Sequence, residues 1–136
     1  MADDLRLRRI SDDAVVCGRL LLGKSFRQRF MGLMGRASMD ADEGLYLSTS
    51  SIHMMFMRFP IDALFVSQAG EGGRRTVVGM REDLPAWRGI VMPVRGAEGV
   101  IELSAGSLAR HAVAIDDEVV FEPAGEEAAE SEVSAT

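Results

Sequence analysis

The sequence predicts an α+β fold, built mainly on a curled antiparallel β-sheet or a small β-barrel with two short helices. Short apolar segments with the alternation of β-strands recur along the chain, and turn-forming residues separate them. Only two segments have helical spacing. The chain of 136 residues fits one domain, which is large enough to bury a core without disulfides.

The amino-terminal part predicts two strands followed by a helix. Residues 5–8 alternate leucine with arginine, as in a half-exposed strand, and residues 14–22 form a second apolar stretch. Residues 11–13, Ser-Asp-Asp, predict the turn between these strands. The sequence Ser-Phe-Arg-Gln at 25–28 matches a capping box, so we expect a helix that ends at one of the two following glycines.

The rest of the chain predicts further strands and one more helix. Residues 81–97 contain two prolines and two glycines and predict mostly irregular structure, in which Trp87 is either an exposed recognition aromatic or, more often, a packed one. Residues 104–111 have the spacing of a short helix. The remaining strands are short apolar runs bounded by turns: 45–47, a segment from 52 onward, 61–66, 76–80, 100–103 and 118–121.

We expect one globular domain over residues 1–121 and an acidic, disordered tail over residues 122–136. The last 15 residues contain five glutamates and no base, and they have no apolar face to bury. The whole chain has a net charge of −6, whereas the body without the tail is close to neutral. A near-neutral body argues against electrostatic capture of nucleic acid or of an anionic membrane.

Localisation and cofactor use follow from what the sequence lacks. Its first ten residues do not resemble a signal peptide, and no apolar run approaches the roughly 20 residues that span a bilayer. We expect a cytoplasmic monomer or weak homodimer without a cofactor. Cys17 is the single cysteine, which excludes an intramolecular disulfide, and its apolar neighbours predict a small buried residue. The sequence has no phosphate-binding loop or nucleophile elbow.

Residues 51–66 combine the hydrophobicity of a core segment with titratable groups that are costly to bury unpaired. Such a mixture indicates a candidate site. We predict a ligand-binding pocket or surface formed by His53, Met55, Met57, Arg58, Asp62 and Glu102.

These residues permit three chemical interpretations. Arg29, Arg36 and Arg58 could form structural ion pairs with Asp62 and Glu102, which we favour over catalysis because buried charges require partners. His53 could instead act as a base oriented by either carboxylate, as in a small hydrolase or lyase.

The third interpretation is a soft-metal site. In an extended segment His53, Met55 and Met57 project from one face, and an imidazole with two thioethers suits Cu(I). Methionine more often fills a core, so packing is the favoured role of these residues.

Three motifs of this chain resemble the domain-of-unknown-function family 192, also catalogued as uncharacterised protein family 0127. They are Arg-Phe-Met-Gly-Leu-Met-Gly-Arg at 29–36, His-x-x-Phe-Met-x-x-x-Ile-Asp at 53–62, and Ile-Glu-Leu with Ala-Gly at 101–106. The resemblance covers about residues 14–121 and implies a compact, β-rich α+β fold without an assigned function. The matching positions are Gly32, Met34, Arg36, His53, Met57, Asp62, Glu102 and Gly106.

The chain departs from this family at two positions. Ser104 stands where the family usually has proline, and Asp116 stands where it usually has glycine. The second departure places a side chain in a turn that favours positive φ.

Together these observations favour a noncatalytic module that binds an unknown small ligand or protein. A Cu(I)-binding protein and a small hydrolase or lyase remain the alternatives.

Overall fold

The computed structural model describes residues 5–23, 36–54 and 57–124. This part of the chain contains nine strands, a 3₁₀ turn at Glu71–Gly73 and a short helix, α1, at Ser107–Arg110. The strands are β1 (Leu5–Arg9), β2 (Val15–Leu22), β3 (Glu43–Leu47), β4 (Ile52–His53), β5 (Ile61–Val66), β6 (Arg75–Leu84), β7 (Ile90–Val91), β8 (Gly99–Ser104) and β9 (Glu118–Pro123). No helix in the described ranges is long and apolar enough to cross a membrane.

Seven of the described strands close into a barrel in the order β1-β2-β3-β8-β5-β6-β9. Neighbouring strands are antiparallel except β2 and β3, which run parallel. The prediction of a β-rich fold with a small barrel is therefore confirmed. The helix predicted over 104–111 is observed as α1, and the helix predicted from residue 25 lies outside the described residues.

One face of each barrel strand fills the interior. Leu7, Cys17, Leu64, Ile101 and Val119 are fully buried there, as the period-two alternation of strands requires. Burial raises the pKa of the Cys17 thiol to about 12, so this cysteine is a protonated packing residue, as its apolar neighbours predict.

The strands β4 and β7 form a separate two-stranded ribbon, with Ile52 opposite Val91 and His53 opposite Ile90. We call the segments that carry it, the described residues of 48–60 (48–54 and 57–60) and residues 85–97, the outer lobe. The ribbon contributes Ile52 and Val91 to a second core, which contains Ala63 and Phe65 of β5 and Val100 of β8. Adjacent residues of β5 thus face two different cores.

The irregular structure predicted for residues 81–97 is only partly observed. Strand β6 continues to Leu84, and the segment contains β7 at Ile90–Val91. Both exceptions arise from tertiary packing against the second core, in which Leu84 and Val91 are buried.

The last strand extends beyond residue 121, where we expected the domain to end. The carboxylate of Glu122 accepts hydrogen bonds from Arg6 and Arg8, with N···O distances of 2.6 and 3.0 Å. These ion pairs, together with the pairing of Pro123 with Leu5, extend the ordered strand by two residues into the predicted tail. Residues 125–136 lie outside the described ranges.

Candidate functional site

Asp62 is fully buried, and its carboxylate joins three parts of the backbone. One oxygen accepts the N–H of Asp83 in β6 at 2.9 Å. The other accepts the N–H groups of Gly106 and Leu108 at 3.1 and 2.9 Å. No arginine pairs with Asp62 in the described part of the chain, so backbone amides take the place of the cation that we expected. Charge-assisted hydrogen bonds of this kind hold a buried carboxylate without a counter-ion.

Glu102 lies on the strand beside Asp62 but faces the other side of the sheet. The register pairs Glu102 with Ala63 and Asp62 with Leu103. Directly opposed residues share a face and successive residues alternate. Asp62 therefore faces the barrel interior. Glu102 is on the outer face of the barrel sheet, together with Ala63, and this face packs against the second core.

His53 occupies a third position. It is exposed on β4, at the surface of the outer lobe, opposite the exposed Ile90. The hydrolase or lyase interpretation required a histidine base and an orienting carboxylate in one cleft. Asp62 lies in the barrel interior and His53 on the exposed surface of the ribbon, so these two groups do not share a cleft. Glu102 is on the face of the sheet that packs against the second core.

The predicted metal-binding positions differ in their exposure. The N–H of Met57 donates to the carbonyl oxygen of Met54 at 3.0 Å. Met57 is buried, Arg58 is exposed, and Met55 lies outside the described residues. The exposed His53 and the buried Met57 therefore do not share one face, as the copper interpretation required. The described residues contain no group of three or more His, Cys, Asp or Glu that could hold a metal ion.

Arg36 forms an ion pair with Glu43, and not with Asp62 or Glu102 as we predicted. Its guanidinium donates to both carboxylate oxygens of the buried Glu43, at 2.6 and 3.2 Å, and Arg19 binds the same carboxylate at 2.5 Å. The hydrogen bonds from Arg36, with those from Asp40 N–H and Arg19, lower the pKa of Glu43 to about 2. Arg29, the other arginine expected in an ion pair, lies outside the described residues.

Among the described residues, the most exposed large apolar side chains lie on the outer lobe, where we expected irregular structure. Ile90 and Met92 are 67% and 71% exposed, and between them Val91 is 5% exposed and faces the second core. Trp87 is 55% exposed in the turn that precedes β7. The sequence signal for this surface was an aromatic residue two positions from both Pro85 and Gly89.

We define the ribbon face as the exposed side chains of His53, Trp87, Ile90 and Met92. The ribbon that presents it is held by backbone bonds on both sides of the β4–β7 pair. The N–H of Trp87 donates to the carbonyl oxygen of Met54 at 3.0 Å, and the N–H of Met54 donates to that of Gly89 at 2.8 Å. The N–H of Val94 reaches the carbonyl oxygen of Ser50 at 2.8 Å.

Residues 10–121 match DUF192, a family described as an uncharacterized ACR. The chain belongs to the DUF192 family. The resemblance inferred from its three motifs is thereby confirmed. In this DUF192 protein the motif positions Asp62 and Gly106, which are far apart in the sequence, are joined by a hydrogen bond.

Two solved structures share this architecture. One is a provisionally assigned transcription regulator from Sinorhizobium meliloti 1021, with 26% sequence identity and a TM-score of 0.64, and the match covers 86% of this chain and 91% of that one. The other, a protein of unknown function from Novosphingobium aromaticivorans DSM 12444, has 21% identity and a TM-score of 0.68 over 85% of this chain and 82% of that one. The second likeness shows the fold alone. No curated protein matches this chain significantly.

Proposed function

We propose that this DUF192 protein is a noncatalytic protein-binding module and that it binds its partner through the ribbon face. The observation that carries the proposal is the exposure of Trp87, Ile90 and Met92, at 55%, 67% and 71%, on one small lobe. Neighbouring exposed apolar side chains mark interaction sites, and tryptophan and methionine are enriched in the cores of protein interfaces.

The backbone at Trp87 supports a binding role for its side chain. Trp87 has a φ of +69°, which is unfavourable for a bulky residue. The hydrogen bond from its N–H to Met54 holds this conformation. Strain of this kind is concentrated at functional sites, because elsewhere selection favours its removal. At this position the strain presents a large aromatic ring to solvent in a fixed turn.

The positions of the polar residues favour binding over catalysis. Asp62 is occupied by three backbone amides, and Glu102 faces a different side of the sheet. His53 is exposed on the ribbon face, where it can contribute a polar contact beside Ile90. The provisional assignment of the Sinorhizobium protein as a transcription regulator agrees with a role in binding.

The proposal is tested with a photo-crosslinking residue at position 92, introduced into the full chain in its native cells. The expected result is a discrete adduct with one protein, which is then purified and titrated against the wild-type chain by calorimetry. Ile90→Ser should weaken that binding at least about tenfold. The matched control is Ile115→Ser, because Ile115 is also exposed, at 48%, but lies outside the outer lobe.

Two outcomes would contradict the proposal. One is the absence of an adduct specific to position 92. The other is equal loss of affinity in the Ile90→Ser and Ile115→Ser variants, which would show that the ribbon face is not the binding surface.

A further inference from the structure

We infer that the partner presents an acidic segment with apolar side chains to the ribbon face. This inference rests on the proposed function and adds the chemistry of the partner. It depends on the charge of the outer lobe and on whether the arginines of this lobe form ion pairs within the chain.

The outer lobe is basic, although the protein as a whole is acidic. Residues 48–60 and 85–97 contain Arg58, Arg88 and Arg95 and no acid. All 21 acidic residues of the chain lie elsewhere. The ribbon face is therefore carried by a part of the molecule whose charge is opposite to the net charge of −6.

The arginines of the outer lobe differ in their partners from most of the nine described arginines outside it. Seven of those nine form ion pairs with acids of the same chain: Arg6, Arg8, Arg9, Arg19, Arg36, Arg74 and Arg75. The other two, Arg81 and Arg110, donate hydrogen bonds to uncharged oxygen atoms. Arg58, Arg88 and Arg95 are exposed, and none of the three pairs with an acid among the described residues. These three guanidinium groups are available to carboxylates of a partner.

The position of one of these arginines relates the charge to the apolar surface. Arg88 directly follows Trp87 in the turn before β7. A lobe that carries both exposed apolar side chains and unpaired cations is complementary to a segment with apolar anchors and acidic flanks. Rim charges of this kind increase the association rate and make it depend on ionic strength.

The same surface is less suited to nucleic acid. Nucleic-acid interfaces are polar and strongly basic, with several Lys or Arg contacts to successive phosphates. The outer lobe contains three arginines and no lysine. Its exposed aliphatic side chains, Ile90 and Met92, offer nothing to a phosphate backbone. An acidic protein segment uses both the apolar and the cationic parts of this surface.

The inference is tested by fluorescence anisotropy with a short labelled peptide that alternates Asp or Glu with Leu or Phe. A second peptide carries Asn and Gln in place of the acids, and a single-stranded oligonucleotide of equal charge is the third probe. Each probe is titrated against the full chain and against Arg88→Gln/Arg95→Gln. The matched control is Arg74→Gln/Arg81→Gln, which removes the same charge from exposed positions outside the lobe.

The acidic peptide should bind more tightly than its amide counterpart, and more weakly as salt is added. We expect Arg88→Gln/Arg95→Gln to weaken it about tenfold and Arg74→Gln/Arg81→Gln to change it less than twofold. The Ile90→Ser variant is titrated in the same way. If both peptides bind equally, and Ile90→Ser loses this binding but Arg88→Gln/Arg95→Gln does not, the inference is overturned and the proposed function stands. Tighter binding of the oligonucleotide, or no binding of the acidic peptide, would also overturn it. Failure of the crosslinking experiment would remove the proposed function itself.

Discussion

The carboxylate of Asp62 accepts the backbone N–H of Gly106 at 3.1 Å, across a sequence separation of 44 residues. The same oxygen accepts the N–H of Leu108, in the first turn of α1. Gly106 has a φ of +94°, a conformation that glycine adopts without strain and that directs its amide toward the carboxylate. Two motifs of the DUF192 family are thus parts of one structural unit, in which a buried acid binds the α1 turn to the barrel.

Replacing this acid should destabilise the fold. In Asp62→Asn an NH₂ group must face at least one backbone N–H, because both carboxylate oxygens accept such groups. We expect a loss of about 3 kcal/mol in the free energy of unfolding, measured by urea denaturation. The matched control is Asp42→Asn, since Asp42 accepts one exposed backbone bond, from Gly18, which an amide oxygen can retain. Equal effects of the two substitutions would contradict this role.

Glu43 should make the stability of the protein depend on acid pH. Arg36 and the other donors lower the pKa of this carboxyl from 4.5 to about 2. A depressed folded-state pKa stabilises the fold above the unfolded-state value, and this contribution is lost as the pH falls from 4.5 toward 2. At neutral pH Glu43→Gln should cost about 2 kcal/mol, because both arginines remain partly solvated.

The measurement for Glu43 is thermal unfolding as a function of pH. The difference in Tm between wild type and Glu43→Gln should shrink as the pH falls toward 2. The control is Glu71→Gln, in the exposed 3₁₀ turn, which should follow the wild-type profile. A constant difference across the acid range would show that Glu43 acts by packing alone.

The strands were predictable because each reflects a local alternation, whereas the arrangement of the site depends on register. Strand β5 was expected at residues 61–66 and is observed at Ile61–Val66. The register of β8 against it is not encoded locally. A slip of one residue would reverse the face of every side chain and place Asp62 opposite Glu102 instead of Leu103.

The outer lobe was the other feature that sequence could not provide. Its strands β4 and β7 have two residues each, and glycine and proline flank the second of them. Such short strands have no measurable period, and they form because Ile52 and Val91 reach the second core. The exposed face of the ribbon becomes recognisable only once its buried face has been assigned.

A methyl group at position 99 should disrupt one side of the barrel core. A Cβ on Gly99 would overlap the ring of Tyr46. That ring packs edge-on against Phe121, with centroids 5.0 Å apart, and Arg75 lies over both rings. We expect Gly99→Ala to cost about 2 kcal/mol of unfolding free energy, because the ring must move.

A double-mutant cycle with Tyr46→Leu measures this contact. Once the ring is absent, Gly99→Ala should cost clearly less than it does in the wild type, which gives a coupling energy of about 1 kcal/mol. Additive effects would mean that the cost arises from the backbone and not from the overlap with Tyr46.

The turn before β9 should become more stable when its family glycine is restored. Asp116 has a φ of +76°, as expected from its departure from the family pattern. Its N–H donates to the carbonyl oxygen of Val77, and this bond does not depend on the side chain. Asp116→Gly should raise the free energy of unfolding by about 0.5–1 kcal/mol, and Asp116→Ala should lower it. Chemical denaturation measures the unfolding free energy of both variants. A loss of stability in Asp116→Gly would show that the backbone at this position is not strained by the aspartate.

The geometry of the methionine segment predicts that Cu(I) binding does not depend on His53. The Met57 side chain is buried in the second core, while His53 is exposed on the ribbon face. A soft ion needs its sulfur and imidazole ligands at one point. In an anaerobic competition titration of the untagged protein, wild type and His53→Ala should therefore have the same Cu(I) affinity. Stoichiometric copper that is lost in His53→Ala would instead identify a metal-binding protein, and it would contradict the separation of the exposed imidazole from the buried thioether.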